Sequence, residues 1–466
     1  MRASADRHSA PSAATATHAD SPRAGLDREP RERRPRVVIV GGGFGGLYAA
    51  RGLSRAPVDV TVVDKNNYHL FRPMLYQVAT GLLSSDEIAA PIRSILRKQE
   101  NVTVLMDEVV GVDARTGLVR ACHDAIAYDY LVLATGIEYN YFGHDEWAAL
   151  APGLTSVDDA DRIRGRILTA FEAAERLAAT GRGDPAALRE LLTFVQVGAG
   201  TAGVEMAATI AEMARMALAR DFRLIDPRTA HIILFEAAPR VLPGYPEDLS
   251  DKARRHLERL GVDVRTNARV QQVDERGVVV NGERIDSRTV QWTAGVVASP
   301  AGRWLGADVD RVGRIRVNPD LSVPGHPNVF AIGDTATVAV YTKSLLGRRS
   351  RTPEVVGGVA QVAIQGGAYV ARVIRCRVSG APPPPPFSYW DKGNLAIVGR
   401  AFAVADLKHA RFSGLLAWML WAGVHIYFLI GFANRLLVML RWGTSFVTKR
   451  RGVRILPFDA RRANRA

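Results

Sequence analysis

Two glycine-rich turns, each set between a short apolar run and a helical stretch, constrain this chain more than any other feature of its sequence. The first follows Arg36-Val-Val-Ile-Val40 and reads Gly41-Gly42-Gly43-Phe44-Gly45-Gly46, matching G-x-G-x-x-G through Gly41, Gly43 and Gly46. In such a turn the first glycine permits a tight strand-to-helix reversal. The second lets backbone approach a pyrophosphate, and the third lets the helix pack on its sheet. The pattern continues in order, with a helix over residues 47–54, a strand over 58–63 and then Asp64, 23 residues beyond Gly41. A carboxylate there is placed to accept hydrogen bonds from ribose hydroxyls. A glycine cluster alone is more often an ordinary turn; strand, glycines, helix, strand and acid in succession predict a dinucleotide-binding fold.

The second turn, Gly198-Ala199-Gly200-Thr201-Ala202-Gly203, follows a strand expected over residues 192–197. Its acid is Glu236, 38 residues beyond Gly198, closing the run His231–Phe235. The spacing exceeds the usual ~20, and the excess is read as a helix extension over 211–220 plus a loop holding Asp226-Pro227. Two such folds in one chain suggest one bound flavin dinucleotide and one exchanging nicotinamide nucleotide. A third signal separates them: Asn328-Val-Phe-Ala-Ile-Gly-Asp334 is an apolar strand ending in Gly333-Asp334, where a carboxylate meets the ribityl chain of a flavin. The first fold is therefore assigned FAD and the second NAD.

The 466 residues accommodate more than one domain, and 47% apolar with 23% charged residues is a globular balance. Residues 1–35 lack an apolar period and read as a disordered tail. The FAD domain is expected to be discontinuous, over 36–155 and 305–395, with the NAD domain at 156–304. Residues 396–466 form a carboxy-terminal membrane-associating region. The five prolines at 382–386 read as a rigid surface connection. The expected fold class is thus α/β, with two Rossmann-like dinucleotide-binding domains plus a C-terminal helical membrane-surface anchor. The net charge of +14 fits a basic surface, an anionic membrane or nucleic acid. Nucleic acid is not expected, because no zinc-type Cys/His spacing accompanies the charge, and no metal site is expected. Cys122 and Cys376 are the only cysteines and stand far apart in sequence. Chemistry that passes electrons through a close cysteine pair is thereby excluded.

The chain resembles the two-dinucleotide-fold flavoprotein reductases and, within them, the type II NADH dehydrogenases, over residues 36–455. The resemblance rests on the segments at 63–80, 133–136, 291–295 and 329–334, and more sharply on Ala360-Gln-Val-Ala-Ile-Gln365 and Tyr389-Trp-Asp-Lys-Gly393. It implies an FAD enzyme that takes hydride from NADH and reduces a membrane quinone without pumping protons. By position, Gly41, Gly43, Phe44, Gly45, Gly46, Asp64, Lys65, Val109, Ala134, Thr135, Gly136, Gly333, Asp334 and Ala360 would hold FAD. Gly198, Gly200, Gly203, Glu236 and Gly295 would serve the nicotinamide nucleotide. Glu205 would stand between nucleotide and flavin, and Gln361, Gln365 and Lys392 would serve the quinone side. Gln361 and Gln365, at i and i+4, share a helix face; their amides could bond quinone carbonyls or satisfy neighbouring backbone. The sequence departs from the family at Gly366, where many relatives carry another glutamine, and in a longer basic loop at 341–351.

From residue 407 to 458 there is no Asp or Glu, while lysines and arginines recur. Between 414 and 433, His425 is the only group able to become charged near neutrality. That stretch is long enough to span a bilayer, but its aromatics, Trp418, Trp421, Tyr427 and Phe428, are scattered instead of gathered at the ends. In the next helix Asn434, Arg441, Ser445 and Thr448 form one stripe, with Leu436, Leu437, Leu440, Trp442 and Phe446 elsewhere. That pattern predicts a helix lying in an interface. The expected location is peripheral, on the cytoplasmic side of the cell membrane against an anionic lipid surface. Spanning, core burial and a homodimer contact are the alternatives. A soluble reductase of a ferredoxin-like protein, or a redox sensor without turnover, would explain the nucleotide folds but not the basic aromatic tail.

Overall fold

The computed structural model describes residues 33–181, 184–344, 347, 350–448 and 451–456. The expectation for the amino-terminal tail, up to residue 32, lies outside the described residues. Strand β1 (Arg36–Val40), helix α1 (Phe44–Gly52) and strand β2 (Asp59–Asp64) form the first unit, and β3 (Val102–Met106) and β4 (Tyr130–Leu133) extend it. Helix α2 (Val157–Ala179) leads to β5 (Thr193–Val197), α3 (Thr201–Glu212), β6 (His231–Phe235), β7 (Val262–Arg265) and β8 (Thr289–Trp292). The chain then runs through β9 (Ser322–Val323), β10 (His326–Ala331) and α4 (Ala360–Ser379), and continues into α5 (Leu415–Phe428) and α6 (Phe432–Thr448).

The first sheet has the order β9-β10-β4-β1-β2-β3, parallel apart from the β9–β10 pair. Ile39 sits between Val62 and Val132 in register. The second sheet, β7-β6-β5-β8, is wholly parallel, with Val195 between Ile233 and Val290. Continuous runs of Val, Ile and Leu are what a parallel sheet covered on both faces requires. β10 returns to the first sheet nearly 200 residues after β4, so one sheet is built from two distant segments. The apolar interior does not break between the two sheets. Ile163, Ile167 and Phe171 of α2 share one core with Met74 and Leu75 on one side and Phe194 on the other. The excess between Gly198 and Glu236 begins as a π-helical continuation of α3 over Met213–Ala217, where a regular helix extension was expected.

Helices α1 and α4 cross with their backbones nearly touching. A Cβ on Gly367 would lie 2.2 Å from the Gly45 carbonyl oxygen, and one on Gly52 would lie 2.5 Å from the Ala371 Cβ. This crossing presses the start of α1, and so the first glycine turn, against the helix that carries Gln361.

Among the described residues no helix is long and apolar enough to cross a membrane. α5 has 14 residues, which at 1.5 Å each is roughly 21 Å against a hydrocarbon core of about 30 Å. The stripe expected on α6 exists, but its direction is informative. Arg441 reaches inward to Glu87 at 3.2 Å, and Trp442 Nε1 donates to Gln77 Oε1 at 2.7 Å. Leu437 and Leu440 are 47% and 56% exposed, with Leu415, Leu416 and Met419 of α5 exposed as well. Trp442, grouped by sequence with the apolar residues, faces the protein. Trp421 is fully buried and stacks on His425, with centroids 4.2 Å apart.

Gly367→Ala is expected to force α1 and α4 apart and to cost about 1–3 kcal/mol, the usual penalty for overpacking a tight contact. A lower midpoint in thermal unfolding checks this; an unchanged midpoint would mean that the crossing has slack.

Candidate functional site

The two glycine turns are built alike, atom for atom. Gly41 and Gly198 sit at φ +103° and +93°, a conformation that side chains resist. A Cβ on either would also strike the backbone of the neighbouring strand end, at Ala134 O (2.3 Å) and Ala294 N (2.7 Å). A Cβ on Gly46 or Gly203 would lie 1.8 Å from the carbonyl oxygen of Gly41 or Gly198. Gly43 and Gly200 differ from these: no protein atom would stand within 4 Å of a Cβ at either position. The protein's own packing therefore does not demand glycine there, and the room beside each loop is left for a ligand. Both residues are helix N-caps without a side-chain cap, so the first amides of α1 and α3 remain available to an anion.

Each acid ties its loop down. Asp64 accepts from Gly42 N at 2.6 Å and Asn66 N at 2.7 Å, while Glu236 accepts from Ala199 N at 2.7 Å and Ala238 N at 2.8 Å. Burial raises the Asp64 pKa, and those amides oppose the rise. Each carboxylate oxygen keeps lone-pair capacity for a ribose hydroxyl.

Beside the first loop lies a cleft of about 840 Å³. Gly41, Gly43, Phe44, Gly45, Asp64, Lys65, Val109, Ala134, Thr135, Gly136, Gly333, Asp334 and Ala360 all line it, and so do Glu205 and Gln361. Gly46 lies beneath the turn. Gly198, Gly200, Gly203, Glu236 and Gly295 stand back from the cleft, and the second loop reaches it through Thr201 and Ala202 at the start of α3. Two buried acceptors in the cleft wall have no protein partner, Asp334 Oδ1 and Gln361 Oε1. Such orphans are rare in a folded protein and call for a donor. A flavin dinucleotide, with ribityl and ribose hydroxyls, fits the demand of Asp334 and the open side of Gly43. Burial raises the Asp334 pKa, against the opposing charges of Arg72 and Arg314.

Gln361 and Gln365 part company. Gln361 Nε2 donates to Gly393 O at 3.4 Å, and its oxygen is buried without a protein partner. Gln365 spends both ends of its amide on Trp390, donating to its carbonyl and accepting from its N–H, each at 2.9 Å. Lys392 holds its ammonium over the Trp390 and Phe428 rings, 4.9 and 5.2 Å from their centroids. Neither Gln365 nor Lys392 is among the cleft-lining residues.

Glu205 is buried on α3, its carboxylate accepting only a long bond from Ile397 N at 3.4 Å. Burial pushes its pKa well above the usual carboxylate range and favours the neutral form. His425 enters the cleft from α5 with Nδ1 donating to Trp421 O at 2.7 Å. Burial holds its pKa at about 4, so the imidazole is neutral near pH 7. Several residues in or behind the cleft wall escaped the sequence reading. Thr135 shares hydroxyl hydrogen bonds with Ser299 and Thr335, and Gly136 N donates to Thr335 at 2.9 Å. Tyr245 and Arg72 also line the cleft. The hydroxyl partners lie 164 and 200 residues from Thr135, beyond any local signal, whereas Arg72 lies within the matching segment 63–80.

Comparison with known proteins gives two family matches. Residues 35–367 match the pyridine nucleotide-disulphide oxidoreductase family, and residues 391–451 match the NDH2 C-terminal domain. The chain is 45% identical to the type II NADH:quinone oxidoreductase Ndh of Mycobacterium tuberculosis, over 90% of both chains. It is 44% identical to NdhA of the same organism, over 90% of this chain and 88% of the relative. A solved structure of NDH2 from Plasmodium falciparum in complex with RYL-552 shares the fold, with a TM-score of 0.77 at 20% identity over 90% of this chain and 99% of that one.

The raised pKa of Glu205 gives a signed expectation. A folded-state pKa above the unfolded value of about 4.3 means that the folded protein holds the proton longer, so this residue's contribution to stability is lost as pH rises through the folded pKa. Glu205→Gln mimics the protonated form. The difference in urea midpoint between variant and wild type should therefore grow in the variant's favour from pH 5 to pH 8. The same comparison removes the parallel contribution of Glu212, which is also raised by burial. A difference that stays flat with pH would mean the carboxyl is ionised in the folded protein.

Proposed function

The chain belongs to the pyridine nucleotide-disulphide oxidoreductases and, within them, to the type II NADH:quinone oxidoreductases, and on that footing we propose that it oxidises NADH and reduces a membrane quinone at the cytoplasmic membrane surface, without pumping protons. The overall conversion is NADH, a proton and quinone to NAD⁺ and quinol. Bound in the cleft, FAD would supply the two-electron acceptor that links the hydride donor to the quinone. The residues of the chain supply position. The first glycine turn, Asp64 and Asp334 hold the flavin dinucleotide, and the second turn with Glu236 holds the nicotinamide nucleotide. Glu205, on the helix that starts at the second turn, stands between them. Hydride transfer needs close stacking, so fixing two rings against each other is most of what the protein must do.

One observation carries the quinone half of the reading. Helix α5 lines the redox cleft with Val424, His425 and Phe428, and exposes Leu415, Leu416 and Met419 elsewhere along its length. A single short helix thus joins the chemistry to an apolar surface, as a substrate confined to a bilayer requires. Exposed apolar area of this kind marks an interaction surface, and with the basic residues around it supports monotopic attachment to anionic lipid. Transfer to a soluble iron–sulfur protein would leave that surface without a role.

The direct test is the purified yellow protein with NADH and a quinone. NADH should be preferred to NADPH, because Glu236 would face a 2′-phosphate. Two like charges ~4 Å apart cost between about 1 and 4 kcal/mol, on the order of tenfold or more in kcat/KM. Equal efficiency with both nucleotides would overturn the role given to Glu236, and absence of flavin would overturn the whole reading.

The two glutamines should separate in rapid-mixing experiments. Gln361→Met should slow reoxidation of the flavin by quinone, at a cost of about 0.5–1.5 kcal/mol for one hydrogen bond, while NADH still reduces it normally. Gln365→Met should leave both half-reactions close to wild type and instead lower stability by about 0.5–1.5 kcal/mol, since it removes the hydrogen bonds that tie α4 to the exposed Trp390 backbone. The opposite pattern would mean that Gln365 is the quinone ligand.

A further inference from the structure

A second pocket, of about 280 Å³, lies where α6 meets the strap formed by residues 451–454. We propose that it binds the head group of an anionic membrane lipid, a phosphate whose charge no head-group cation compensates. The inference rests on the reading of α5 and α6 as the membrane-attached surface, and it names the chemistry that surface recognises.

Arg441, Thr444, Ser445 and Thr448 enter the wall from α6, at i, i+3, i+4 and i+7, one face of the helix. Arg451 and Arg454 enter from the strap, which folds back against the helix. Gly452 makes that return feasible, because a Cβ there would lie 2.6 Å from Arg441 Nη1. Each guanidinium has a carboxylate partner: Glu87 for Arg441 at 3.2 Å, Glu212 for Arg451 at 3.6 Å, and Asp221 for Arg454. None of the three carboxylates lines the pocket. They stand behind the guanidiniums and orient them. A guanidinium has five N–H donors; the carboxylates consume one or two of them, Arg451 spends another on Thr80 O and Arg454 another on Ala217 O, and each guanidinium keeps N–H groups beyond these. Arginine is the side chain suited to phosphate by both charge and planar geometry.

The surroundings decide for a lipid over a soluble phosphate ester. On α6, Leu440 and Val447 directly precede the wall residues Arg441 and Thr448 and are both exposed, Val447 at 82%. A lipid whose phosphate enters the pocket lays its acyl chains along those residues; a soluble ester leaves them in water. Basic pockets beside membrane-facing helices are where lipid head groups bind.

The test uses the full-length, flavin-loaded protein and vesicles of phosphatidylcholine with or without phosphatidylglycerol. Salt is held at about 0.5 M, where diffuse surface attraction is screened within a few ångströms. Binding to the phosphatidylglycerol vesicles should be on the order of tenfold tighter. Ser445→Glu places a competing carboxylate in the pocket and should remove the preference while retaining binding to phosphatidylcholine. Arg311→Gln, at an exposed arginine of a different segment, should keep the preference. Flavin content and the unfolding midpoint establish that both variants are folded. Equal losses in both variants would assign the effect to overall charge and overturn the proposal, as would the absence of any preference in the wild type. If excess soluble glycerol phosphate abolishes the preference, the pocket takes free phosphate esters and the lipid assignment is wrong. Turnover with a water-soluble short-chain quinone, and attachment to phosphatidylcholine alone, are read in the same samples. Failure of either one falls on the proposed function, not on the pocket.

Discussion

A helix can begin immediately behind a strand only if nothing stands between the first and last glycines of the turn, and the redox half of this molecule depends on that contact twice. At Gly46 and Gly203 the space for a methyl group is taken by the carbonyl oxygen of Gly41 or Gly198. The contact sets how closely each helix N-terminus approaches the end of its strand, and hence where its free amides point. The acid at the end of the second strand then ties the loop from the other side, Asp64 to Gly42 and Glu236 to Ala199. Steric exclusion and one charge-assisted hydrogen bond thus produce the same cradle in both folds. The α1–α4 crossing at Gly367 repeats the device between helices. It brings Gln361 and Ala363 into the wall that the first glycine turn begins.

What was legible in the sequence follows from this. Glycines, strands and closing acids act within a few dozen residues, and the sequence reading placed β6 at its observed bounds, whereas α1 starts at Phe44, within the glycine turn and three residues before the expected start. The partners that complete the cleft act across the chain. Nothing local marks Ser299 and Thr335 as neighbours of Thr135. Nothing local distinguishes Gln361 from Gln365 either, since helical spacing puts both on one face. Their fates diverge because Trp390, on a strand 25 residues beyond Gln365, turns its backbone toward one of them. The Asp226-Pro227 loop was visible as an irregularity, but the π-turn at Met213–Ala217 was not.

The cleft is a low-dielectric site in which burial moves several groups toward neutrality. Glu205 and Tyr245 are pushed up by burial, while His425 and His69 are pushed down to about 4. His69 stands behind the first turn with Nδ1 bonded to Gly42 O at 2.9 Å, its ring edge-on to Phe44. A nicotinamide must change its own charge when it gives up hydride, and fixed ionised groups beside it would bias that change in one direction. Burial that favours the neutral forms of Glu205 and His425 reduces fixed charge there, which leaves the energetics of transfer to the two ring systems and leaves the protein the task of alignment.

The orientation of α6 shows how polar contacts settle a question that apolar packing leaves open. An amphipathic helix resting on a protein can turn its apolar stripe inward and gain area by doing so, because hydrophobic burial has no preferred direction. Here the stripe faces out, and only Val438 is buried. The directional contacts on the inner side account for it. Trp442 Nε1 meets Gln77, whose other end is held by the Tyr76 hydroxyl at 2.9 Å. Arg441 meets the buried Glu87, and just past the helix Arg451 is buried against Glu212 with a bond to Thr80 O at 2.8 Å. Rotating α6 would strip Glu87 of its counter-charge, leaving it only the Ser84 amide and hydroxyl, and would leave Gln77 Oε1 without its donor; a buried carboxylate that loses its ion-pair partner costs more than a few exposed leucines gain. A buried ion pair adds little net stability over an apolar pair, but it fixes rotation and register. The acid-free carboxy-terminal sequence is therefore not a sign of absent ion pairs: the acids that hold it are Glu87, Glu212 at the end of α3, and Asp221 beyond it, and with Gln77 they hold α6 with its leucines turned outward.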